Sequence, residues 1–594
     1  MQPHRNLRAF MDTLRQERDI VEITAEVDPY LELAEIHRRV IAEGGPALLF
    51  TNVKGSQYPV FSNMFGTIRR VDLAFGPRPE QLMKEVVGLT HKLVPPTLGK
   101  LWGERGLFLE LLKVGTKNVG RDKAPILDHV DSPAKLGELP VLTSWHEDGG
   151  PFVTLPLVYT EHPDPNKKDH NLGMYRVQVY DDQTTGMHWQ IQKGGGFHHF
   201  EAEQRGEELP VTVFLGGPPA LIASAIAPVP EMLPELLLTS LILGEKLPVT
   251  ADPAGGKYPL IAEAEFALVG KVPPHVRRME GPFGDHFGYY SLAHEFPVFN
   301  VDRVYHRKNA IYPATIVGKP VQEDYYLGDF LQRLLSPAFP LAMPGVRDLW
   351  TYAETGFHAL AAAVVRESYK RETIAHAFRI LGEGQLTLTK FLILTDKPVE
   401  LANFRETFEQ VLERFDPATD LFVIGNTSND TLDYTGRQFN KGSKGILLGV
   451  GDPIRQLPAE YKGRDLPLVD KIQAFCKGCL CVSGAAYEQD PELGARIVQQ
   501  HADDLREWPV VFLVDDASVA KAQSSFLWTT FTRFDPSHDI YAEADLVRHH
   551  VAYKLPIVID ARMKPWYPDE VETRPDIDSK VSARWTEYFG KKQY

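Results

Sequence analysis

Hydrophobic spacing changes twice along this chain, from helical period to short strands and back, and one layer architecture cannot serve all three patterns. Leu7, Phe10, Met11 and Leu14 recur at helical spacing over residues 7–18. Strand-like runs at 20–23 and 46–50 flank a second helical stretch at 31–42, so the opening reads as an α/β unit. It ends in a charged, proline-bearing linker near 122–140. From Phe152 the runs shorten: 155–159, 175–180, 209–214 and 298–304 are strand-like and separated by turn residues. With one helix at 230–243 they suggest a small β-barrel or sandwich. After Val317 helical and strand-like stretches alternate again, as in a doubly wound or α+β domain.

A chain of 594 residues exceeds one hydrophobic core, which agrees with several domains. The expected partition is 1–121, 122–316, 317–455 and 456–594. The last two segments share anchors. Asp396 and Asp515 lie 119 residues apart, and so do the R-F-D-P-x-x-D elements at 414–420 and 533–539. Two anchors at one offset predict a partial duplication.

Lys plus Arg number 64 against 79 Asp plus Glu, a formal charge of −15, which argues against a nucleic-acid surface while leaving room for a local basic pocket. Residues 1–7 lack an apolar run for a signal peptide, and 233–243 is too short and too interrupted by Pro234 and Glu235 to span a bilayer. A cytoplasmic enzyme is expected. The three cysteines, Cys476, Cys479 and Cys481, have a spacing that admits zinc or a cluster, but no fourth ligand is evident. Packing as small hydrophobes in a strand is the alternative.

Three clusters carry the chemistry: residues 171–176 (N-L-G-M-Y-R), 185–196 and 280–290 (E-G-P-F-G-D-H-F-G-Y-Y). Arg176 suits a carboxylate or phosphate, which it grips by two parallel hydrogen bonds. On one extended strand Asn171 and Arg176 would face opposite ways, and a bend at Gly173 would bring them together. Lys193 with Gly194, Gly195 and Gly196 reads equally as a phosphate cradle or a hairpin turn. Glu280 and Asp285 bracket a tight turn, either as an acid–base pair or as hydrogen-bond partners of the turn backbone. Glu235 stands in an apolar helix, where it is either a metal ligand or a solvated residue at the helix start. Asn and Glu offer hard oxygens that suit Mg²⁺ or Mn²⁺. His188 with Trp189 reads as cofactor wall. His198 and His199, as neighbours on a strand, would point to opposite sides.

Together the clusters resemble the UbiD family, in order and in spacing, and the resemblance extends over roughly residues 5–455. Residues 46–55, 63–67, 315–320 and 389–396 also look like family segments. The resemblance implies an N-terminal α/β domain, a central flavin-binding split β-barrel and a C-terminal α/β domain that helps form homodimers or homohexamers. It implies prenylated FMN supplied by a separate flavin prenyltransferase, Mn²⁺ or Mg²⁺ held by Asn171 and Glu235, and a monovalent cation such as K⁺. Flavin contacts fall on Met174, Tyr175, Arg176, His188, Trp189, Gln190, Lys193 and Gly194, and Lys390 matches a flavin-contacting lysine of some members. Lys193 stands where some members carry a metal-binding His. The catalytic set is Arg176, Glu280 and Asp285, with Glu280 in proton transfer and Asp285 as donor or relay. The activity implied is decarboxylation of an aromatic or α,β-unsaturated acid, in quinone biosynthesis. Alternatives are an aromatic-acid carboxylase or decarboxylase of catabolism, and a non-catalytic subunit of a carboxylase complex. A prenylated substrate would add peripheral membrane association.

Overall fold

The computed structural model describes residues 4–92, 112–189, 194–227 and 234–590. The chain divides into two compact units, one of residues 1–334 with 570–594 and one of 335–569. Segment 456–569 therefore groups with the preceding α/β segment, and the final helix groups with the N-terminal unit.

The first unit opens with the expected amphipathic helix, Leu7–Gln16, capped by Asn6, whose side chain accepts from the Ala9 N–H. Leu7, Phe10, Met11 and Leu14 are its buried stripe. Strands Ile20–Ile23, Ala47–Phe50, Val60–Ser62 and Tyr312–Pro313 form a four-stranded sheet, with helix Glu32–Ala42 between the first two. The central region is a ten-stranded, curled and unclosed sheet, as a split barrel requires. Its spine is the 13-residue strand His294–His306, which pairs with Thr184–Met187, Phe266–Val272, Arg277–Glu280 and His129–Asp131. One core runs from Ile23, Leu48 and Phe50 through Tyr312 to Val177, Met187, Val213 and Phe299.

Three local expectations are overturned here. The glycine run opens helix Gly194–Arg205 rather than a hairpin, so His198 and His199 are helical and both buried. Glycine has poor helix propensity, which hid the start. The expected strand at 175–180 is broken: His170–Met174 and Val177–Val179 are separate strands, and Tyr175 and Arg176 lie between them. The barrel also carries more than one helix, since Pro219–Ile226 joins Gly194–Arg205 and Glu235–Leu243. Residues 230–233 of the expected helix lie outside the described residues.

The second unit contains two five-stranded sheets of one design. The first runs Val346–Thr351, Leu360–Val365, Phe391–Thr395, Lys441–Gly449, Leu421–Ser428. The second runs Lys471–Cys476, Cys479–Ser483, Val510–Val514, Ile557–Asp560, Ile540–Tyr541. In each, the neighbours pair antiparallel, parallel, parallel and antiparallel in turn. Leu360 and Cys479, Phe391 and Val510, and Leu421 and Ile540 start matching strands 119 residues apart.

The repeated anchors have matching structural work. Asp416 and Asp535 precede the short helices Pro417–Asp420 and Pro536–Asp539, and their backbone N–H groups donate to Asp420 (2.9 Å) and Asp539 (2.7 Å). Asp396 accepts from the Gly451 N–H and Asp515 from the Met563 N–H, each just beyond a matching strand. The cysteines are free and buried on the hairpin joining the first two strands of the second sheet. Among the described residues no three His, Cys, Asp or Glu side chains are grouped to hold a metal.

Candidate active site

The curled sheet places Arg176, His188 and Glu280 side by side. Val177 pairs with Met187, and the His188 N–H donates to the Arg176 carbonyl at 3.3 Å, so the residues just beyond that pair stay adjacent. Glu280 ends its strand opposite His294 on the spine. Arg176 then forks onto Glu280, Nε to Oε1 at 2.7 Å and Nη2 to Oε2 at 2.9 Å. Its Nη1 donates to Asp285, and Nη2 also donates to Ser291 Oγ at 2.9 Å. The guanidinium lies 4.9 Å from the centre of the Phe283 ring.

Glu280 is wholly buried, and Arg176, His188 and Asp285 are buried too. Burial alone would raise the Glu280 pKa, but Arg176 and His188 outweigh it and hold the carboxyl down at about 2. Asp285 is likewise lowered: His286 and Arg176 overcome its burial. Both acids are therefore carboxylates at neutral pH. His188 Nδ1 lies 3.2 Å from Glu280 Oε2, and its buried Nε2 has no hydrogen-bond partner among the described residues. Burial, then the Arg176 charge, lowers its pKa.

Sequence reasoning missed the groups that shape the Asp285 loop. Asp148 accepts from the Gly284 N–H at 2.8 Å, and Gln178 Oε1 accepts from the Gly281 N–H at 2.9 Å. Ser291 Oγ accepts from the Phe283 N–H at 3.2 Å as well as from Arg176. Asp148 is pushed up to about 7 by burial, against its backbone hydrogen bonds. The only signal in the chain was the D-G-G at 148–150, which reads as an ordinary turn. Trp145 explains one glycine of the loop: a Cβ at position 284 would lie 2.1 Å from its indole.

A second cluster gathers Asn171, Tyr175, Gly194 and Glu235. Asn171 Nδ2 donates to Tyr175 Oη at 3.2 Å, and Glu235, first residue of its helix, accepts from the Leu172 N–H at 3.2 Å. Burial raises the Glu235 pKa. A Cβ at position 194 would lie 2.3 Å from Asn171 Oδ1, so glycine lets the start of a 12-residue helix approach the Asn171 amide. The Gly195 N–H donates to Tyr175 Oη at 3.3 Å, and the Trp189 Nε1 is buried without a hydrogen-bond partner among the described residues. Hard oxygens beside a helix N-terminus, with an orphaned indole N–H nearby, fit a phosphate-bearing cofactor and a divalent cation.

Met174 ends the strand that carries Asn171 and is half-buried. Gln190 and Lys193 lie outside the described residues. Lys390 belongs to the second unit, where it is buried, 2.9 Å from Asp433 and 5.5 Å from the Phe534 ring centre.

Family models of the 3-octaprenyl-4-hydroxybenzoate carboxy-lyase match three stretches: its N-terminal domain at 11–90, its Rift-related domain at 117–320 and its C-terminal domain at 325–449. A Chlamydia pneumoniae protein, named for a subunit of 4-hydroxybenzoate decarboxylase, is 50% identical over 591 residues, covering 99% of each chain. An uncharacterized protein of Archaeoglobus fulgidus is 35% identical over 477 residues, 80% of this chain and 96% of that one. Among solved structures, vanillic acid decarboxylase of Sedimentibacter hydroxybenzoicus in its closed form superposes with a TM-score of 0.67 at 24% identity, over 79% of this chain and 97% of that one. HmfF of Pelotomaculum thermopropionicum, in complex with FMN, superposes at 0.62 and 23% identity, over 79% and 99%. The chain belongs to the UbiD family of carboxy-lyases.

Proposed function

We propose that this chain decarboxylates an aromatic carboxylic acid with prenylated FMN, and that Arg176, Glu280 and Asp285 are its catalytic residues. The observation that carries the reading is the buried fork of Arg176 onto two carboxylates. When bound, the prenylated flavin supplies an electrophilic centre that accepts the electron pair freed as CO₂ leaves. Asn171 and Glu235 would hold Mn²⁺ or Mg²⁺ against the flavin phosphate, with K⁺ as a further cation, and Gly194, Trp189 and His188 would wall the flavin. Met174 and Tyr175 contribute to the same wall, and Gln190, Lys193 and Lys390 are assigned to the flavin by family resemblance alone.

An incoming carboxylate competes for the Arg176 guanidinium. Glu280 then loses its counter-ion while staying buried, its pKa rises, and it takes up a proton. Protonated Glu280 donates to the carbon that CO₂ has left, and Asp285 relays the next proton through His286, whose Nδ1 lies 2.7 Å from Asp285 Oδ1. The relatives' names favour 4-hydroxybenzoate-like substrates, and a prenylated acid of this class would place the enzyme in quinone biosynthesis. The test is co-expression with a flavin prenyltransferase. Purified protein should carry prenylated FMN and the divalent cation, and should release CO₂ from one of 4-hydroxybenzoate, its 3-prenylated form, 3,4-dihydroxybenzoate or vanillate. Protein loaded with prenylated flavin yet inert towards the whole panel would defeat the substrate assignment; loss of CO₂ without the flavin would defeat the cofactor.

A further inference from the structure

The loop that carries Asp285 is bridged by a segment that lies beyond the family match. Within the loop, Gly284 bridges Tyr290 antiparallel, the Asp285 N–H donates to the Tyr289 carbonyl (3.0 Å), and the Gly288 N–H donates to the Asp285 carbonyl (2.9 Å). Its outer edge is taken by residues 570–571. Tyr289 bridges Glu570 antiparallel, and the Val571 N–H donates to the Gly288 carbonyl at 3.0 Å. Val571 is 2% exposed and packs with Trp145 and Tyr290. Trp145 in turn presses on Gly284, the residue before Asp285. Lys319 pins this segment by an ion pair with Glu570 at 2.5 Å.

The segment is held from its other end as well. Thr573 Oγ1 donates to Glu35 at 2.7 Å. Helix Pro575–Phe589 then docks on helix Glu32–Ala42, with Val581 in the core and Lys580 3.0 Å from Glu32. Tyr588 Oη donates to the same carboxylate at 2.5 Å, and Arg584 pairs with it. Glu32 is 1% exposed, so its carboxylate is buried under these three partners. The family models end at residue 449, so none of this strap belongs to the matched sequence.

We propose that residues 570–573 are a positioning strap for Asp285: anchored on helix Glu32–Ala42, they brace the bridged loop that aims this carboxylate at Arg176. The catalytic consequence rests on the reading of Asp285 as a working group, whereas the bracing of the loop does not. The full-length chain with Val571→Pro loses the N–H that bonds Gly288. Lys319→Glu and Glu570→Lys each break the ion pair, and the double exchange restores it. In flavin-free protein, hydrogen exchange at residues 284–290 should quicken by about tenfold or more in each single variant and return in the double exchange, with the rest of the unit unchanged. In holoenzyme, kcat should fall by about tenfold while KM and flavin occupancy hold, since misplacing a reacting group costs turnover before binding. Unchanged exchange in the folded charge variants overturns the strap, as does exchange that quickens across the whole unit. Quickened exchange with unaltered kcat overturns the positioning role. If Val571→Pro does not fold, the charge pair alone decides. If no acid of the panel turns over, exchange still decides the bracing, and the failure belongs to the substrate assignment.

Discussion

Arg176 serves two carboxylates at once, and that sharing sets what each substitution should do. A Gln at 280 still accepts one guanidinium hydrogen bond but cannot take up and release a proton. Glu280→Gln and Asp285→Asn should keep fold and flavin occupancy while cutting kcat by about a hundredfold, the scale of a general acid; stopped-time CO₂ release and flavin absorbance check both halves. The same pairing makes stability depend on acid. Glu280 falls from an ordinary 4.5 to about 2 in the folded chain, so its contribution is fully present above the unfolded value and is lost as pH falls through about 2. Asp285 is shifted in the same direction. Urea unfolding midpoints should therefore drop between about pH 4.5 and pH 2, and Glu280→Gln should flatten that slope; an equal slope in both proteins would leave other carboxylates responsible.

At the scale of elements, two helix starts converge on one strand: Gly194 opens one helix, Glu235 another, and Asn171 on strand His170–Met174 lies beside both. Helix N-termini carry partial positive charge, which suits a phosphate and tolerates the Glu235 carboxylate. Two substitutions separate space from charge. Gly194→Ala forces a Cβ to within 2.3 Å of Asn171 Oδ1, so the helix start must move, and flavin occupancy should fall by more than half with little change in melting temperature. Glu235→Ala should lose metal and flavin together, read by elemental analysis and absorbance on one sample. Retention of both would place Glu235 on a merely solvated helix start.

At the scale of the whole molecule, the second unit is a duplicated fold whose copies face each other across an apolar seam. Phe391, Phe408, Phe415, Leu421 and Leu447 of one copy meet Val510, Phe512, Phe531, Ile540 and Ile559 of the other. Matching strands contribute matching positions: Phe391 faces the seam from one sheet as Val510 does from the other. The copies have diverged in charge, since Pro509 stands 119 residues after Lys390. Phe531 is buried and meets the rings of Phe391, Phe404, Phe512 and Phe534. Phe531→Ala should cost about 3–5 kcal/mol of the second unit's stability, the usual range for a buried aromatic. Calorimetry should show that unit's transition moving while the other unit's transition stays in place.

Much of this was legible in the residues themselves. The helix Leu7–Gln16 and strand Ala47–Phe50 follow from periodicity, because burial on one face repeats at the period of the backbone. The repeat was readable from the recurring Asp and R-F-D-P-x-x-D anchors, since the last Asp of each element accepts the N–H of the first and that bond demands a carboxylate at a fixed step. Arg176, Glu280 and Asp285 stood out as charges in otherwise apolar or glycine-rich surroundings. Chain order alone left open whether the two acids were partners of the turn backbone or of one another. The long strand His294–His306 brings Glu280 beside the strand that carries Met187, so that Arg176 bridges both acids, while Asp285 also accepts from the His286 backbone N–H. The helix at Gly194 was hidden because its first residues have no propensity for it and are set by packing on Asn171 and Trp189. Asp148 and residues 570–573 were invisible for another reason: the carboxylate of Asp148 accepts from the Gly284 N–H and the Val571 N–H donates to the Gly288 carbonyl, both on a loop far away in sequence, so only the tertiary structure could assign them.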